Sequence, residues 1–594
     1  MSADKLVFDL SSEIEGSPNV FVRKDWLSIL DNQNQNYNSN QSVLDTSQLS
    51  NSNKYMSYRE AYFSMPFLLT LAQVAPSVAF TPNTAATTAD YSFGLKSWFG
   101  QIIHSFTLDY NGTTVIQQTP YVNMWNSFKL MTSFSYNDVI TQGSTIGFYP
   151  DDALSWSFTP FGTANKAGQG VCNNATSTLA TGNPITTGGS FNSYSSGIVN
   201  NGYVKRMSYV NYDTASVIGG GSTYANLFPV QSCKNMWKSY VSAKVNGTVA
   251  VNGYIQISVQ ATIYLKHIHS FFAMCPLIKG AFLKMTSNLN NTTTTIQVSV
   301  DATPLVNGLS VVSVSNPVGG CNPLMFSSAN TISISGFAYP SANVNALADD
   351  TAQQLIMNVS VGGKCLGSGF PAIGTGQVSQ SVYLYIPAYT FNPVFEQAYL
   401  SSPIKSIKYT DIYQYQVLNV ASSGQFNNLL TNGIANIKSV LILPFLSTTG
   451  GGANNNGLPA GIPVYQSPFD TAGTGTTSPL ALLGNFNVVV SGQNAIYNQQ
   501  RYAFEQFNNQ LYGQNSVNGG MTDGLTSGLI NSQMFESLYC YYYVNVSRML
   551  PVEESVPKSI QIIGTNYSAL ALDLYCFVEY GVSVDIDILT GARV

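Results

Sequence analysis

An internal echo constrains this chain more than any single motif. In residues 485–510, Phe486, Val488 and Val490 alternate with Asn487 and Val489, which is strand spacing. Ser491-Gly492 marks a turn, and Tyr502-Ala-Phe-Glu-Gln-Phe507 has helix spacing. The same plan appears earlier: Phe106-Thr-Leu-Asp-Tyr110, then Asn111-Gly112, Val115-Ile-Gln-Gln118, Tyr121 and Trp125-Asn-Ser-Phe128. Phe106, Gly112 and Tyr121 thus answer to Phe486, Gly492 and Tyr502, with a slip of about one residue before the tyrosine. A second echo pairs Tyr58–Tyr62 leading into Phe67–Ala72 with Tyr409–Tyr413 leading into Val417–Ala421. A weaker third sets Pro276, Lys279 and Asn288 against Pro551, Lys558 and Asn566. Ordered echoes predict two diverged copies of one domain, with a seam near residue 400.

At 594 residues the chain exceeds one ordinary core and fits two large domains. Only 9% of residues are charged, against roughly 25% in typical soluble proteins. With 36 Tyr, 31 Phe, 49 Gly and 25 Pro, the composition predicts an all-β protein. A surface so poor in charge offers little like-charge repulsion between copies. It suits self-packing, and equally a secreted β protein coated with amides. The net charge of −5, without a basic block, leaves no footprint for strong or sequence-specific nucleic-acid binding. The N-terminus has acids where a signal peptide needs a basic and then an apolar region. No apolar run approaches the ~18 residues of a transmembrane segment. Seven scattered cysteines without Cys-x-x-Cys read as reduced thiols, expected of a chain folded in the cytosol or nucleus.

Residues 1–55 read as an N-terminal arm anchored at Trp26, because an amide-rich run follows Trp26–Leu30. Residues 56–400 form the first half. Its expected strands are Phe67–Leu71, Ile102–Tyr110, Thr145–Phe148, Tyr254–Tyr264, Thr295–Val300, Leu355–Val361 and Val382–Ile386. Residues 401–594 form the second. Its expected strands are Val417–Val420, Ser439–Leu443, Phe486–Val490, Ser537–Val546, Ser559–Ile563, Leu570–Glu579 and Val582–Ile588. Long loops are expected at 160–203, 447–479 and Gly513–Gly528, where Gly, Ser, Thr and Asn dominate. Strands at irregular spacing with long loops between certain pairs describe a sandwich with elaborated ends.

Residues that could carry chemistry are sparse. His267 and His269 would share a face on a strand, but no cysteine or carboxylate cluster accompanies them. Val361-Gly-Gly-Lys364-Cys365 lacks the leading glycine of a phosphate loop and has cysteine at its hydroxyl position. The acid pairs Asp151-Asp152, Asp349-Asp350, Glu553-Glu554 and Asp585/Asp587 read as solvated charges rather than a glycosidase pair. No catalytic, cofactor-binding or metal-binding residue is assigned, and the chain is not expected to be an enzyme.

The chain resembles double jelly-roll major capsid proteins, most of all those of polinton-like viruses and virophages. The stretches that carry the resemblance are Phe21–Trp26 through Asn51–Tyr62, Leu265–Phe272 with Cys275–Gly280, Ile407–Ile412, Phe426–Gly433 with Leu443–Phe445, and Val584–Arg593. They span nearly the full length, and they match by order and spacing rather than by a catalytic signature. The resemblance implies two consecutive eight-stranded jelly rolls per chain and three chains per pseudo-hexagonal capsomer. It further implies neighbouring capsomers, penton proteins and minor capsid proteins as partners, and an icosahedral shell around double-stranded DNA. The long loops would sit at the outer end, and the arm would face inward or reach a neighbour. The alternative is a carbohydrate-binding or fibre-type β-sandwich, which would bring a secretion signal, paired cysteines and a compact acidic or aromatic site. An arrayed surface-layer protein would likewise need export.

Overall fold

Alternation of inward apolar and outward polar side chains gives strands throughout, and their pairing order defines the architecture. The computed structural model describes residues 19–73 (except 38 and 50–51), 91–150, 238–245, 248–299, 308–316, 321–328, 333–334, 337–338, 353–362, 380–447, 466, 482–496, 502–515, 528–537, 539–547, 555–568 and 571–594. In the first half the principal strands are β1 (Phe21–Leu30), β2 (Gln41–Asp45), β3 (Tyr62–Gln73), β4 (Ile103–Tyr110), β5 (Thr113–Ile116), β6 (Thr248–Tyr264), β7 (Leu283–Leu289) and β8 (Tyr383–Phe391). In the second half they are β9 (Ile404–Val420), β10 (Gln425–Ile434), β11 (Ile437–Leu446), β12 (Leu483–Val490), β13 (Gln493–Asn494), β14 (Tyr542–Asn545), β15 (Lys558–Asn566) and β16 (Leu572–Asp587).

The first half pairs its strands in the orders β1-β8-β3-β6 and β2-β7-β4-β5. The second half pairs them as β9-β16-β11-β14 and β10-β15-β12-β13. Adding eight to each number converts one description into the other. Every one of these neighbours is antiparallel. In each half successive strands fall in alternate sheets from the first to the eighth, except that the fourth and fifth form a hairpin within one sheet. That winding is the jelly roll, and the protein is two of them in sequence. In the first roll, Gln353–Val361, Thr292–Ser299 and Gly308–Ser315 extend the sheet of β3, and Lys238–Val245 pairs with β6.

Inside each roll the facing sheets meet through aromatic side chains. Phe63 of β3 lies 6.4 Å from Phe106 of β4, centroid to centroid. Phe486 of β12 lies 5.2 Å from Tyr542 of β14. In the strand built around Phe486, Val488 and Val490 are also buried, as their alternation predicts. The hairpins that follow are alike. Asn111 and Gly112 have φ of 46° and 82°, and Ser491 and Gly492 have 47° and 85°. Two central residues with positive φ make the tight turn whose twist matches antiparallel strands. A Cβ on either glycine would meet nothing within 4 Å, so the demand is on backbone conformation and not on space.

Several expectations differ from the structure. Residues 21–45 of the expected arm supply β1 and β2, paired with β8 and β7. Trp26 therefore sits mid-strand on a sheet face instead of anchoring a tail. Thr145–Phe148 is no strand: helix α2 (Tyr136–Ile146) runs into it, started by a reciprocal Ser135–Asp138 capping box. Ser537–Val546 is part helix and part strand, because α7 (Ser532–Ser537) precedes β14. Leu570–Glu579 and Val582–Ile588 fall on one strand, β16. The second echo falls on non-equivalent elements, before β3 in one half and within β9 in the other. Of the third, Asn288 and Asn566 fall on equivalent strands, β7 and β15, whereas Lys279 precedes β7 and Lys558 begins β15; Pro551 lies outside the described residues. The loops expected at 160–203 and 447–479 lie outside the described residues apart from Ser447 and Gln466, and so does most of 513–528.

The turn argument has a direct test. Gly492→Val should lower stability by about 1–2 kcal/mol, since a β-branched residue is forced into the left-handed region. Gly492→Asn should cost much less. Urea unfolding midpoints compare the two, and equal losses would contradict a purely conformational role.

Candidate assembly interface

A jelly-roll sheet has an inner face, which packs in its own sandwich, and an outer face that something else must cover if it is apolar. In the second roll, Leu441, Leu443, Tyr575, Phe577 and Tyr543 are buried on the outer face of β9-β16-β11-β14. Their cover is helix α1 (Val122–Ser133), which follows β5 in the first roll. Trp125 and Phe128 share one side of α1 by helical spacing, and Tyr121, its N-cap residue, stands just before them. Tyr121 lies 5.0 Å from Tyr575, Trp125 lies 6.1 Å from Phe577, and Phe128 lies 5.0 Å from Tyr541 and 5.4 Å from Tyr543. The rest of α1 is mostly buried too, with Met124, Leu130 and Met131 away from these rings. The helix is a wedge with two apolar sides.

Polar contacts fix the register of this seam. Lys129 Nζ is 3.2 Å from the Glu579 carboxylate, which is only 4% exposed and also accepts from the Ser439 hydroxyl at 2.6 Å. Tyr409 donates its hydroxyl to the Val115 carbonyl at 2.8 Å, and Thr119 to the Ile412 carbonyl at 2.9 Å. Ser270 donates to the Thr410 carbonyl at 2.7 Å and accepts from the Thr410 amide at 3.0 Å. The C-terminal turn docks as well: Asn111 Nδ2 donates to the Gly591 carbonyl at 2.5 Å. Asp587 shapes that turn by accepting from the Leu589 amide and the Thr590 hydroxyl, which hold its pKa down.

Of the two histidines read as a strand pair, His267 stands instead in a short helical turn, α3 (Leu265–Ile268), and His269 is the extended residue that caps the next, α4 (Ser270–Met274). His269 Nδ1 accepts from the Phe271 amide at 3.2 Å, which leaves Nε2 to carry hydrogen towards Asp411 at 3.4 Å. Tyr580 donates to the other Asp411 oxygen at 3.3 Å. His267 is ringed by Trp98, Phe134 and Tyr264, and its Nε2 has no hydrogen-bond partner. Both histidines line a cavity of about 240 Å³ in the seam, beside Lys129, Lys266 and Glu579. Among the described residues no group of three His, Cys, Asp or Glu is placed to hold a metal ion. Cys275, Cys321, Cys540 and Cys576 are free thiols. Asp151-Asp152, Asp349-Asp350 and Glu553-Glu554 lie outside the described residues.

The equivalent outer face of the first roll is partly exposed where β1 and β8 lie side by side. On β1-β8-β3-β6 the outward side chains are Trp26, Leu30, Tyr62, Tyr264, Tyr383 and Tyr385. Tyr62 stacks on Tyr385 at 5.2 Å and meets Trp26 at 5.8 Å and Tyr264 at 5.6 Å. Trp26 is 51% exposed, Leu30 48% and Tyr383 38%. The same-side placement of Tyr383 and Tyr385 is visible in the sequence. The contribution of Trp26, Tyr62 and Tyr264 is not, because it arises from pairing across four strands. Of the duplicated residues, Phe106 and Phe486 lie in the two cores, Gly112 and Gly492 in the equivalent turns, and Tyr121 in the seam. Tyr502 instead packs inside the second roll against Phe486 and Tyr542.

Two measurements probe the seam. Lys129→Met should destabilise the chain by about 1–2 kcal/mol by leaving a buried carboxylate poorly compensated, and adding Glu579→Gln should restore part of the loss. A double-mutant cycle in urea would read the coupling, and strict additivity would refute it. Burial depresses the pKa of His104 and His267 to about 4, with Lys266 adding to the effect at His267. Folded values below the unfolded one mean that this stability is complete above pH ~6.5 and is lost as pH falls towards 4. His267→Phe should therefore flatten the fall in urea midpoint between pH 7 and 4.5, and an unchanged slope would contradict the assignment.

No family model matches the chain, and no curated protein matches it. Solved structures similar to it include one from the cryo-electron-microscopy structure of the Sputnik virophage, at 12% identity over 97% of this chain and 89% of that one, with a TM-score of 0.44. The Faustovirus major capsid protein is 10% identical over 96% and 91%, with a TM-score of 0.41. The mavirus major capsid protein is 10% identical over 98% and 91%, with a TM-score of 0.34. The fold rests on the chain's own strand order: two consecutive eight-stranded jelly rolls joined by an aromatic seam.

Proposed function

We propose that this chain is the major capsid protein of a double-stranded DNA virus and works by self-assembly, not catalysis. The observation that carries the reading is the pair of rolls with identical strand order, set side by side in one chain. Three such chains present six similar columns around a threefold axis. That block is pseudo-hexagonal and tiles a flat lattice, the facet of an icosahedral shell. The sequence resemblance runs along the same length and names the same assembly. A charge-poor, Tyr- and Phe-rich chain can supply the apolar contacts that obligate interfaces need. Neighbouring capsomers, penton proteins and minor capsid proteins would be its partners. The virion shell would be its place, after folding in the reducing host cytosol or nucleus.

The domains follow as 1–400 for the first roll, including the stretch read as an arm, and 401–594 for the second. The matched hairpins at Gly112 and Gly492, between the strands of Phe106 and Phe486 and the helices after Tyr121 and Tyr502, fit descent from one ancestral roll. A sugar-cleaving site would need a free carboxylate pair. Of Asp585 and Asp587, the latter is bound into the terminal turn.

Light scattering on a sizing column tests the reading. Three copies of the 64.0 kDa chain give a species of about 192 kDa. A monomer that persists at high concentration would overturn the proposal.

A further inference from the structure

We propose that the cavity of about 240 Å³ in the seam is a binding site for a small oxyanion of the phosphate class. Its wall comes from both rolls. The first supplies α1 and the turns α3 and α4, and the second supplies Thr410 and Ile412 of β9 and Glu579 of β16. Asn126, Lys129 and Ser133 line it from one side of α1, at helical spacing. Lys266 and His267 line it from α3. At ~30 Å³ per water the space holds several waters, so it admits an ion of this size with part of its hydration. The site is a property of one chain and stands apart from the shell-subunit reading.

The chemistry of the wall selects an anion. Two lysines face one carboxylate, so one positive charge is left over at neutral pH. The Glu579 carboxylate is engaged on both oxygens, Oε1 with Lys129 Nζ at 3.2 Å and Oε2 with the Ser439 hydroxyl at 2.6 Å. Lys129 Nζ also stands 4.8 Å over the Trp125 ring. An ammonium has three donors, so one remains for a ligand. Asn126 is only 5% exposed, and among the described residues its amide has no protein partner. His267 Nε2 is buried without a partner too. Burial and Lys266 keep this ring neutral at pH 7, and a neutral imidazole still offers one N–H. Partnerless polar groups in a buried wall are what a bound ion or water satisfies. Trp125, Ile268 and Ile412 give the cavity apolar sides, which strengthen the pull of an ammonium on an anion. The equivalent helix of the second roll, α6 (Phe504–Asn515), follows β13 as α1 follows β5, but it carries no lysine. The site therefore belongs to the seam and not to the roll as a repeating unit. A bound ion joins α1 to the α3 turn beside the second roll's sheet, and so braces the joint between the rolls.

Isothermal titration calorimetry on the full chain tests the site, with inorganic phosphate as the probe and chloride holding the ionic strength constant. Saturable binding of about one ion per chain is expected. Lys266→Met should weaken it by roughly 10-fold or more, as loss of one charge-assisted contact does. Lys266 is exposed, so this variant should keep the wild-type urea midpoint. Lys129→Met should weaken binding at least as much, but it also breaks the Glu579 pair, so the Lys266 variant decides. Once phosphate binding is seen, competition by a mononucleotide identifies its source: displacement means that the mouth admits phosphomonoesters, and none means that it takes the free ion alone. No saturable heat with phosphate, or binding that a folded Lys266→Met chain retains in full, would overturn the site. Either failure leaves the shell reading intact, since that reading is tested by the trimer.

Discussion

The wedge formed by α1 is the contact on which the rest of the molecule depends. Each roll closes its own core between two sheets, but closure inside does nothing for an apolar outer face. Burying Tyr575, Phe577, Leu441 and Tyr543 beneath Trp125 and Phe128 turns two sandwiches into one body. Ring pairs of this kind contribute about 0.5–1.5 kcal/mol beyond the area they bury. The polar contacts around them do less for stability and more for angle. A hydroxyl aimed at a carbonyl, as from Tyr409 to Val115, is satisfied at one setting of the rolls and orphaned at others.

The scarcity of charge has a structural counterpart inside the protein. Amides do not merely coat the surface, as composition suggests. Many are buried and fully used. Asn487 holds both backbone groups of Ile496 through its side chain, at 2.8 and 2.9 Å. Asn566 donates to the Val420 carbonyl at 2.9 Å, Asn288 to the Ser105 hydroxyl at 2.7 Å, and Asn291 to the Asn40 amide oxygen at 2.9 Å. A neutral amide can serve as donor and acceptor at once, so it closes strand ends without the desolvation cost of an ion. This fixes loops and sheet corners while leaving the net charge small.

What the sequence makes legible is local. The hairpins at Gly112 and Gly492 can be read from Asn-Gly and Ser-Gly between alternating residues, because the turn's demand is written in two positions. β2 cannot be read this way. Only Val43 and Leu44 in it are apolar, and its strand form comes from pairing with Lys284–Asn288, more than two hundred residues away. Trp26 misleads for a related reason. A large apolar side chain signals burial in a lone segment, yet here it points outward from a strand whose inner side is Leu27 and Ile29. Gly581 splits β16 in the sequence because glycine usually interrupts strands. In the fold it pairs with Thr410, and a Cβ there would meet Asn436 at 2.5 Å, so glycine permits a close approach within a continuous strand. The outer aromatic face was illegible for the same reason as β2: its members come from four strands whose order no single segment states.

The two rolls share a winding order but cannot share every side chain, because their junctions face different costs. The step between rolls within the chain is tethered by α5 (Pro393–Leu400), which joins β8 directly to β9. A short tether makes that contact intramolecular, with a high effective concentration already supplied. A step between chains has no tether and must offset lost translational and rotational freedom from its surface alone. The tethered face mixes rings with a half-buried ion pair and several backbone hydrogen bonds. The equivalent face of the first roll instead gathers a tryptophan, a leucine and four tyrosines on a single sheet. Divergence between the copies is therefore what the seam requires: similar folds place equivalent sheets in both rolls, and unlike surfaces give only one of them the residues that receive α1.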